Sequence, residues 1–136
     1  MKLLSCFLVL LLCLITGCGA PTNGGYGYSP GITSLEGLKV VAQDGTFLGV
    51  ISRNQYAAES MSNAYGSYGS QYSATSIFNQ YSVYGSPYSA QSPFNQYTAT
   101  PPIILNGDTA VDYLTVNTFK TPRLDPNAVI AWMKGN

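Results

Sequence analysis

The side chains of this sequence best equipped to act on another molecule are aromatic. Tyr65, Tyr68, Tyr72, Tyr81, Tyr84, Tyr88 and Tyr97 recur in a stretch without a charged residue, interleaved with Asn and Gln. A phenol ring has a flat apolar face and a polar tip, while a pyranose has a flat face of C–H groups rimmed by hydroxyls. Rings that stack on sugars, with amides to satisfy the hydroxyls, would make a carbohydrate-binding module. The same rings packed inward would make a structural coat. Ring exposure separates the two readings.

Covalent chemistry is poorly provided. The sequence contains no His, so its many serines have no imidazole to activate them, and no Lys is placed for that task. Hydrolysis by paired carboxylates needs two acids brought close together, and Asp108 and Asp112 are the nearest pair. They read as a turn residue and a solvent-facing strand residue. Neither a Gly-rich phosphate loop nor a calcium-loop spacing occurs. The expectation is a non-enzymatic protein with no cofactor and no metal. An enzyme of unrecognised type is the third reading, after a structural or protein-interaction module and a carbohydrate-binding one.

The N-terminus bears on where such a module works. "MKLLSCFLVLLLCLITGCGAP" has one Lys and then an apolar run from Leu3 to Ile15, closed by small residues. That is the pattern of a secretory signal, which lies outside any folded domain. Its end, Ile15-Thr16-Gly17-Cys18, resembles the bacterial lipobox, whose Cys is diacylated and becomes the mature N-terminus. The resemblance implies lipid attachment at Cys18 and removal of the signal peptide 1–17, with Cys6 and Cys13. The mature chain then keeps no free thiol, which excludes disulfide frameworks and thiolate metal sites. Two or more acyl chains give a stable anchor where one exchanges, so the expected place is the cell envelope. In a Gram-negative source it would be the outer membrane, because Gly19 rather than Asp follows Cys18. An uncleaved membrane helix over Leu3 to Ala20 is the competing reading.

Loss of Lys2 leaves Lys39, Arg53, Lys120, Arg123 and Lys134 against Glu36, Asp44, Glu59, Asp108, Asp112 and Asp125. A nearly neutral chain without a basic cluster cannot neutralise phosphates, which excludes nucleic acid as a partner. The partners left are the membrane, through the lipid, and an envelope protein or polysaccharide. Residues 18–34, rich in Gly, Pro, Ser and Asn, read as a flexible tether. Residues 35–136 read as a single small domain.

Two hairpins frame the aromatic tract. Residues 38–52, "LKVVAQDGTFLGVIS", are two apolar, β-branched runs around Asp44-Gly45, a dipeptide suited to a type I′ turn. Residues 102–117 form a second hairpin around Asn106-Gly107, with Pro101 and Pro102 marking its entry or an edge. At an offset of 63 residues Thr46 matches Thr109 and Asn54 matches Asn117. Leu48 and Val111, Ile51 and Leu114, Ser52 and Thr115, and Tyr56 and Phe119 match in type. The hairpins therefore read as structural counterparts that pair into one four-stranded antiparallel sheet. Chance similarity of two short hairpins is the alternative.

The repeat tract, 54–97, takes its phase from Asn-x-Tyr at Asn54, Asn63, Asn79 and Asn95. Two complete sixteen-residue units, 63–78 and 79–94, share Tyr65/Tyr81, Tyr68/Tyr84, Gly69/Gly85, Tyr72/Tyr88 and Phe78/Phe94, among others. Burying four rings per unit would contribute very roughly 15–25 kcal/mol, and fixing sixteen backbones costs on the order of 16–32 kcal/mol. A unit cannot hold itself but could be held by a sheet. An ordered wrap is one reading, in which Ser caps a short helical turn, Phe78 and Phe94 point inward, and Gly69 and Gly85 reverse the chain. A disordered, self-associating segment is the other.

A helix over 126–134 closes the chain, with Asp125 as N-cap, Pro126 at its first position and Gly135 as stop. Val129, Ile130, Trp132 and Met133 form its apolar surface. The fold expected is mainly β, a small four-stranded antiparallel sheet with the repeat wrapped on it and a short C-terminal helix. The "DGTFLG" hairpin, the "YGSxYSxxSxFNxY" units and "PPIIL" resemble a group of short secreted bacterial proteins, or modules of larger ones, with no assigned role. That resemblance covers Leu38 to Lys134; it implies an exported domain and transfers no function.

Overall fold

The computed structural model describes residues 34–135. Residues 1–33, which include Cys18 and the segments read from the sequence as a signal peptide and a tether, lie outside the described residues. The two apolar runs around each Gly-containing turn pair as hairpins: β1 (Lys39–Val41) with β2 (Phe47–Val50), and β3 (Ile103–Asn106) with β4 (Thr109–Leu114). β1 also pairs antiparallel with β3, Val40 opposite Ile104, which joins the hairpins through their first strands. Arg123–Leu124 adds β5, parallel to β4, so the sheet is five-stranded and mixed, in the order β2-β1-β3-β4-β5. The four antiparallel strands expected from the sequence are present, and the fifth, parallel strand is the correction. A two-residue strand between Pro122 and Pro126 is too short to show alternation. It is held by the Tyr113 N–H on the Pro122 carbonyl (3.0 Å) and the Thr115 N–H on the Leu124 carbonyl (3.1 Å).

The hairpins are counterparts down to their irregularities. Val40 pairs with Gly49 and Val41 with Phe47, which leaves Leu48 as the extra residue of a β-bulge. Ile104 pairs with Asp112 and Leu105 with Ala110, which leaves Val111 as the extra residue of the second bulge. Leu48 and Val111 are the pair matched in the sequence at the 63-residue offset. Beyond the strands the correspondence continues. Ser52 accepts from the Asn54 N–H and Thr115 from the Asn117 N–H, each at 3.0 Å, and Asn54 and Asn117 accept in turn from Tyr56 and Phe119.

The turns themselves differ, and neither is type I′. Among the described residues only glycines have positive φ. In the first hairpin the Gly45 N–H donates to Ala42 (2.9 Å), and Gly45 alone takes the left-handed conformation at φ 92°. Asp44 keeps negative φ because its carboxylate accepts the Thr46 N–H at 2.9 Å, the local bond that Asp makes in turns. In the second, Asn106 pairs with Thr109, so the loop is Gly107 and Asp108 with positive φ only at Gly107, the type II′ pattern.

Between the hairpins the tract is a continuous chain of tight turns. From Ala57 to Thr98 the carbonyl of one corner residue accepts from the N–H of the next, at 3.0–3.5 Å. Corners fall every three residues, as at Ser70, Ser73, Ser76, Asn79 and Ser82, and a four-residue step follows from Ser82 to Ser86. Four steps of three and one of four make the sixteen-residue unit, and the additional residue is Gly69 or Gly85. A Cβ on Gly69 would stand 2.1 Å from the Asn63 carbonyl oxygen, and one on Gly85 2.1 Å from that of Asn79. These glycines permit close backbone approach instead of supplying a positive φ.

Corner side chains complete the turns. Ser76 and Ser92 accept from the N–H two residues on, at 3.1 Å. Asn63, Asn79 and Asn95 do the same for Tyr65, Tyr81 and Tyr97, and each also donates its Nδ2 six residues back, to Ala57, Ser73 and Ser89. Ser and Asn dominate the tract because such short polar side chains substitute for backbone partners. No helical turn forms at 73–78 or 89–94, contrary to expectation, because the same side-chain bonds close turns that never propagate.

The tract crosses from the β2 side of the sheet to the β4 side. Ser60 bridges parallel to Val50, through the Val50 N–H on Glu59 (2.8 Å) and the Met61 N–H on Val50 (2.9 Å). At its far end the Val116 N–H donates to Pro93 at 2.9 Å. Met61, Ile77 and Pro93, sixteen residues apart, are the buried teeth of the tract. Phe78 and Phe94 are only half-buried, so the deep anchor is the residue before each. Gly49 admits the first tooth, since a Cβ there would lie 2.6 Å from Met61 Cγ and 2.7 Å from Tyr68 Cβ.

The helix α1, Pro126–Met133, begins as read, with Asp125 accepting the Asn127 N–H at 2.8 Å and Pro126 in the first turn. It buries Val129 and Met133 in the same core as Val40, Leu48, Ile51, Ile104 and Leu114. Trp132 is half-buried under the Arg53 guanidinium, 4.3 Å from its ring centroid.

Candidate functional site

The turn frame decides which rings reach solvent. Tyr65 is 100% exposed, and Tyr72, Tyr81, Tyr88 and Tyr97 are each at least 80% exposed. Every one of them stands two residues after a corner whose side-chain oxygen accepts its N–H: Asn63, Ser70, Asn79, Ser86 and Asn95 respectively. The bond fixes the backbone from which the ring projects. These rings are held outward by local structure and not by burial.

Tyr68 and Tyr84, read as ligand contacts from the sequence, are committed inward. Both occupy the step just before the extra glycine, where the chain turns toward the sheet. Tyr68 packs edge-to-face on Phe47 with ring centroids 5.0 Å apart. The Tyr84 hydroxyl donates to Asp44 Oδ2 at 2.8 Å and lies 2.9 Å from the Thr46 hydroxyl. With the Thr46 N–H and hydroxyl bonds as the larger causes and Tyr84 as the next, the Asp44 carboxyl is held below its ordinary value of 3.8.

The outward rings bound clefts, and the clefts repeat. Tyr72 and Tyr81 stand on either side of one that also includes Phe78, Asn79 and Gln80. Tyr88 and Tyr97 stand on either side of a second with Phe94, Asn95 and Gln96. These five residues of the second are sixteen positions after their equivalents in the first, and Val116 joins the second alone. A third cleft, between Tyr65 and Tyr72, shares Phe78 with the first. Half-buried Phe78 and Phe94 thus line the clefts as well as packing on the core.

Reading the spacing of Tyr alone missed these two phenylalanines as lining residues. It also missed Tyr56 and Phe119, 92% and 89% exposed at the two ends of the tract. The signal was present: Asn54-Gln55-Tyr56 and Asn117-Thr118-Phe119 repeat the Asn-x-aromatic motif.

Among the described residues the acids form no comparable arrangement. Asp108 is an exposed turn residue as read, but Asp112 is buried and not solvent-facing. The bulge at Val111 adds a residue to the strand and so shifts its alternation, giving Asp112 the position that Gly49 has in the first hairpin. Among the described residues no three His, Cys, Asp or Glu side chains come together. Comparison with protein-family models, with curated proteins and with solved structures finds no match.

Proposed function

We propose that this protein is a non-enzymatic, lipid-anchored module of the bacterial cell envelope whose turn tract binds polysaccharide. The observation that carries the reading is the set of five exposed Tyr rings, each on a capped backbone, bounding clefts that recur at the repeat period. A structural coat would use those rings as packing, and only Tyr68 and Tyr84 are used that way. Exposure therefore favours the carbohydrate-binding role over a purely structural one. Pre-set backbones also reduce the ordering entropy that binding would otherwise cost.

The anchor rests on the lipobox-like Ile15-Thr16-Gly17-Cys18 and the Gly- and Pro-rich residues that follow it. A tether of that composition lets the domain reach away from the membrane surface. The non-enzymatic part of the reading is supported by the sequence without His and by the separation of Asp108 from Asp112 in exposure.

Affinity electrophoresis of the detergent-solubilised protein, through gels containing soluble neutral polysaccharides, tests the binding role. Retardation that is lost on replacing Tyr72 and Tyr88 together by Ala is the expected result. Unaltered mobility in every gel, together with capture of a protein partner through the same tyrosines, would replace it with a protein-interaction role. Cys18→Ala should move the protein out of the membrane fraction. An intact mass showing unmodified Cys18 would remove the anchor.

A further inference from the structure

Two clefts that share five equivalent residues, one repeat apart, imply a ligand that repeats too. We infer that the tract contains two equivalent subsites, one bounded by Tyr72 and Tyr81 and the other by Tyr88 and Tyr97, and that their occupant is a linear, uncharged polysaccharide spanning both. The inference rests on the carbohydrate-binding reading and adds the class and form of the ligand.

Equivalence is a matter of backbone as well as composition. Asn79 and Asn95 make the same pair of bonds, accepting from Tyr81 and Tyr97 at 3.0 Å and donating six residues back at 3.0 and 3.1 Å. Ser70 and Ser86 cap the other wall in the same way, at 3.1 and 3.3 Å. With both walls fixed alike, a sugar that fits one cleft fits the other. The asparagine amides are occupied by these bonds, so the amides facing solvent for sugar hydroxyls are those of the exposed Gln80 and Gln96. The linings differ in two places: Gln71, whose Nε2 donates to the Tyr72 hydroxyl at 3.1 Å, is replaced by Pro87, which has no donor, and Val116 lines only the second cleft.

The charge of the ligand follows from the charge of the tract. From Ser60 to Gly107 there is no Asp, Glu, Lys, Arg or His, and Glu59 and Asp108 bound that stretch. An anionic polymer would have to shed water from its charges without Lys or Arg to replace it. An uncharged sugar chain loses only hydroxyl hydration, which Tyr hydroxyls and Gln amides can replace.

A polymer that engages one subsite presents its next units to the second at an effective concentration in the millimolar range, so avidity can raise affinity well above that of a short fragment. The test uses isothermal titration of the detergent-solubilised protein with β-1,4-glucan, β-1,3-glucan, β-1,4-xylan and N-acetylated chitin. Each is supplied as a trisaccharide and as the longest water-soluble chain of its series, and the best long-chain binder also as its carboxymethylated derivative. The expected result is binding at least tenfold tighter for the long chain than for the trisaccharide, and weaker binding of the anionic derivative. Tyr72→Ala and Tyr88→Ala should each abolish the length dependence and weaken the long chain to within about threefold of each other. Both residues are exposed, and unchanged circular dichroism confirms that the variants fold. Equal affinity for trisaccharide and long chain, or one silent variant, would overturn the paired subsites while leaving glycan binding intact. Tighter binding of the carboxymethylated chain would overturn the uncharged class. No binding of any neutral glycan by the unaltered protein would overturn the underlying reading as well.

Discussion

Gly85 passes so close to Asn79 that a Cβ on it would stand 2.1 Å from the Asn79 carbonyl oxygen. That carbonyl accepts the Ser82 N–H at 3.0 Å and closes a turn, so it cannot swing aside freely. Gly85→Ala should therefore cost at least about 2–3 kcal/mol, the upper range for forcing extra volume into packed structure. Gly107→Ala is the control. A Cβ there meets nothing within 4 Å, and only the left-handed φ of 65° is strained, at about 1–2 kcal/mol. Chemical denaturation of the two variants, with amide exchange over 76–98, distinguishes clash from strain. Equal losses would show that the turn gives way to the added methyl at little cost.

Asp44 and Tyr84 couple the first hairpin to the second repeat unit. A carboxyl whose folded value is lowered adds stability above its unfolded value and loses it as pH falls through the folded one. The Asp44 contribution should thus be complete at neutral pH and fade below about pH 3.8, toward the lowered folded value. Tyr84→Phe removes the 2.8 Å hydroxyl bond that helps hold the Asp44 carboxyl low. The variant should be less stable at pH 7 and should lose less on acidification than the unaltered protein. Denaturation midpoints at pH 7 and near pH 2.5 read both effects, and parallel losses across pH would show that Tyr84 does not interact with the ionised form.

Much of the frame was readable because two constraints leave marks at fixed spacing. Leu48 and Val111 could be matched at 63 residues because a duplicated bulge keeps its sequence neighbours. Asp125, Pro126 and Gly135 mark a helix because caps and stops are local. The sixteen-residue register was visible, but its cause was hidden until the corners fell at every third residue. Ser and Asn serve turns and helix caps through the same side-chain bond, so "YSATSIFN" did not reveal which it closes. Likewise a phenylalanine at the end of a unit looks like the anchor, when the frame gives the buried position to Ile77. Which tyrosines face outward depends on the four-residue step at Gly69 and Gly85, a feature of chain path that composition does not carry.

Ile77 is the middle tooth of the tract, only 2% exposed in the common core, while neighbouring Phe78 is half-buried. Ile77→Ala should cost about 2–5 kcal/mol, as for a buried aliphatic side chain. Phe78→Ala, despite the larger ring, should fall below the roughly 3–5 kcal/mol of a fully buried one. Its larger effect should be on glycan binding, since Phe78 lines two of the tyrosine-walled clefts. If Phe78→Ala destabilises more than Ile77→Ala, the anchoring order is the reverse of that described.

Asn79 has two jobs that one substitution can separate. Its Oδ1 accepts the Tyr81 N–H at 3.0 Å, and its Nδ2 donates to the Ser73 carbonyl at 3.0 Å. Ser can do the first, as Ser70 does for Tyr72 at 3.1 Å, but its short hydroxyl cannot span six residues to do the second. Asn79→Ser should therefore cost about one net hydrogen bond, on the order of 1 kcal/mol, since the Ser73 carbonyl keeps the Ser76 N–H as a partner. Asn79→Ala loses both bonds and should cost about twice as much. Urea denaturation with an unchanged m-value gives the ranking: unaltered protein, then Ser, then Ala. The binding consequence separates differently, because Tyr81 keeps its capped N–H in the Ser variant and loses it in the Ala variant. Glycan affinity should then survive Asn79→Ser and fall in Asn79→Ala. If the two variants are equally unstable, the bond to Ser73 contributes nothing, and the spacing of Asn-x-Tyr in this sequence would need another cause.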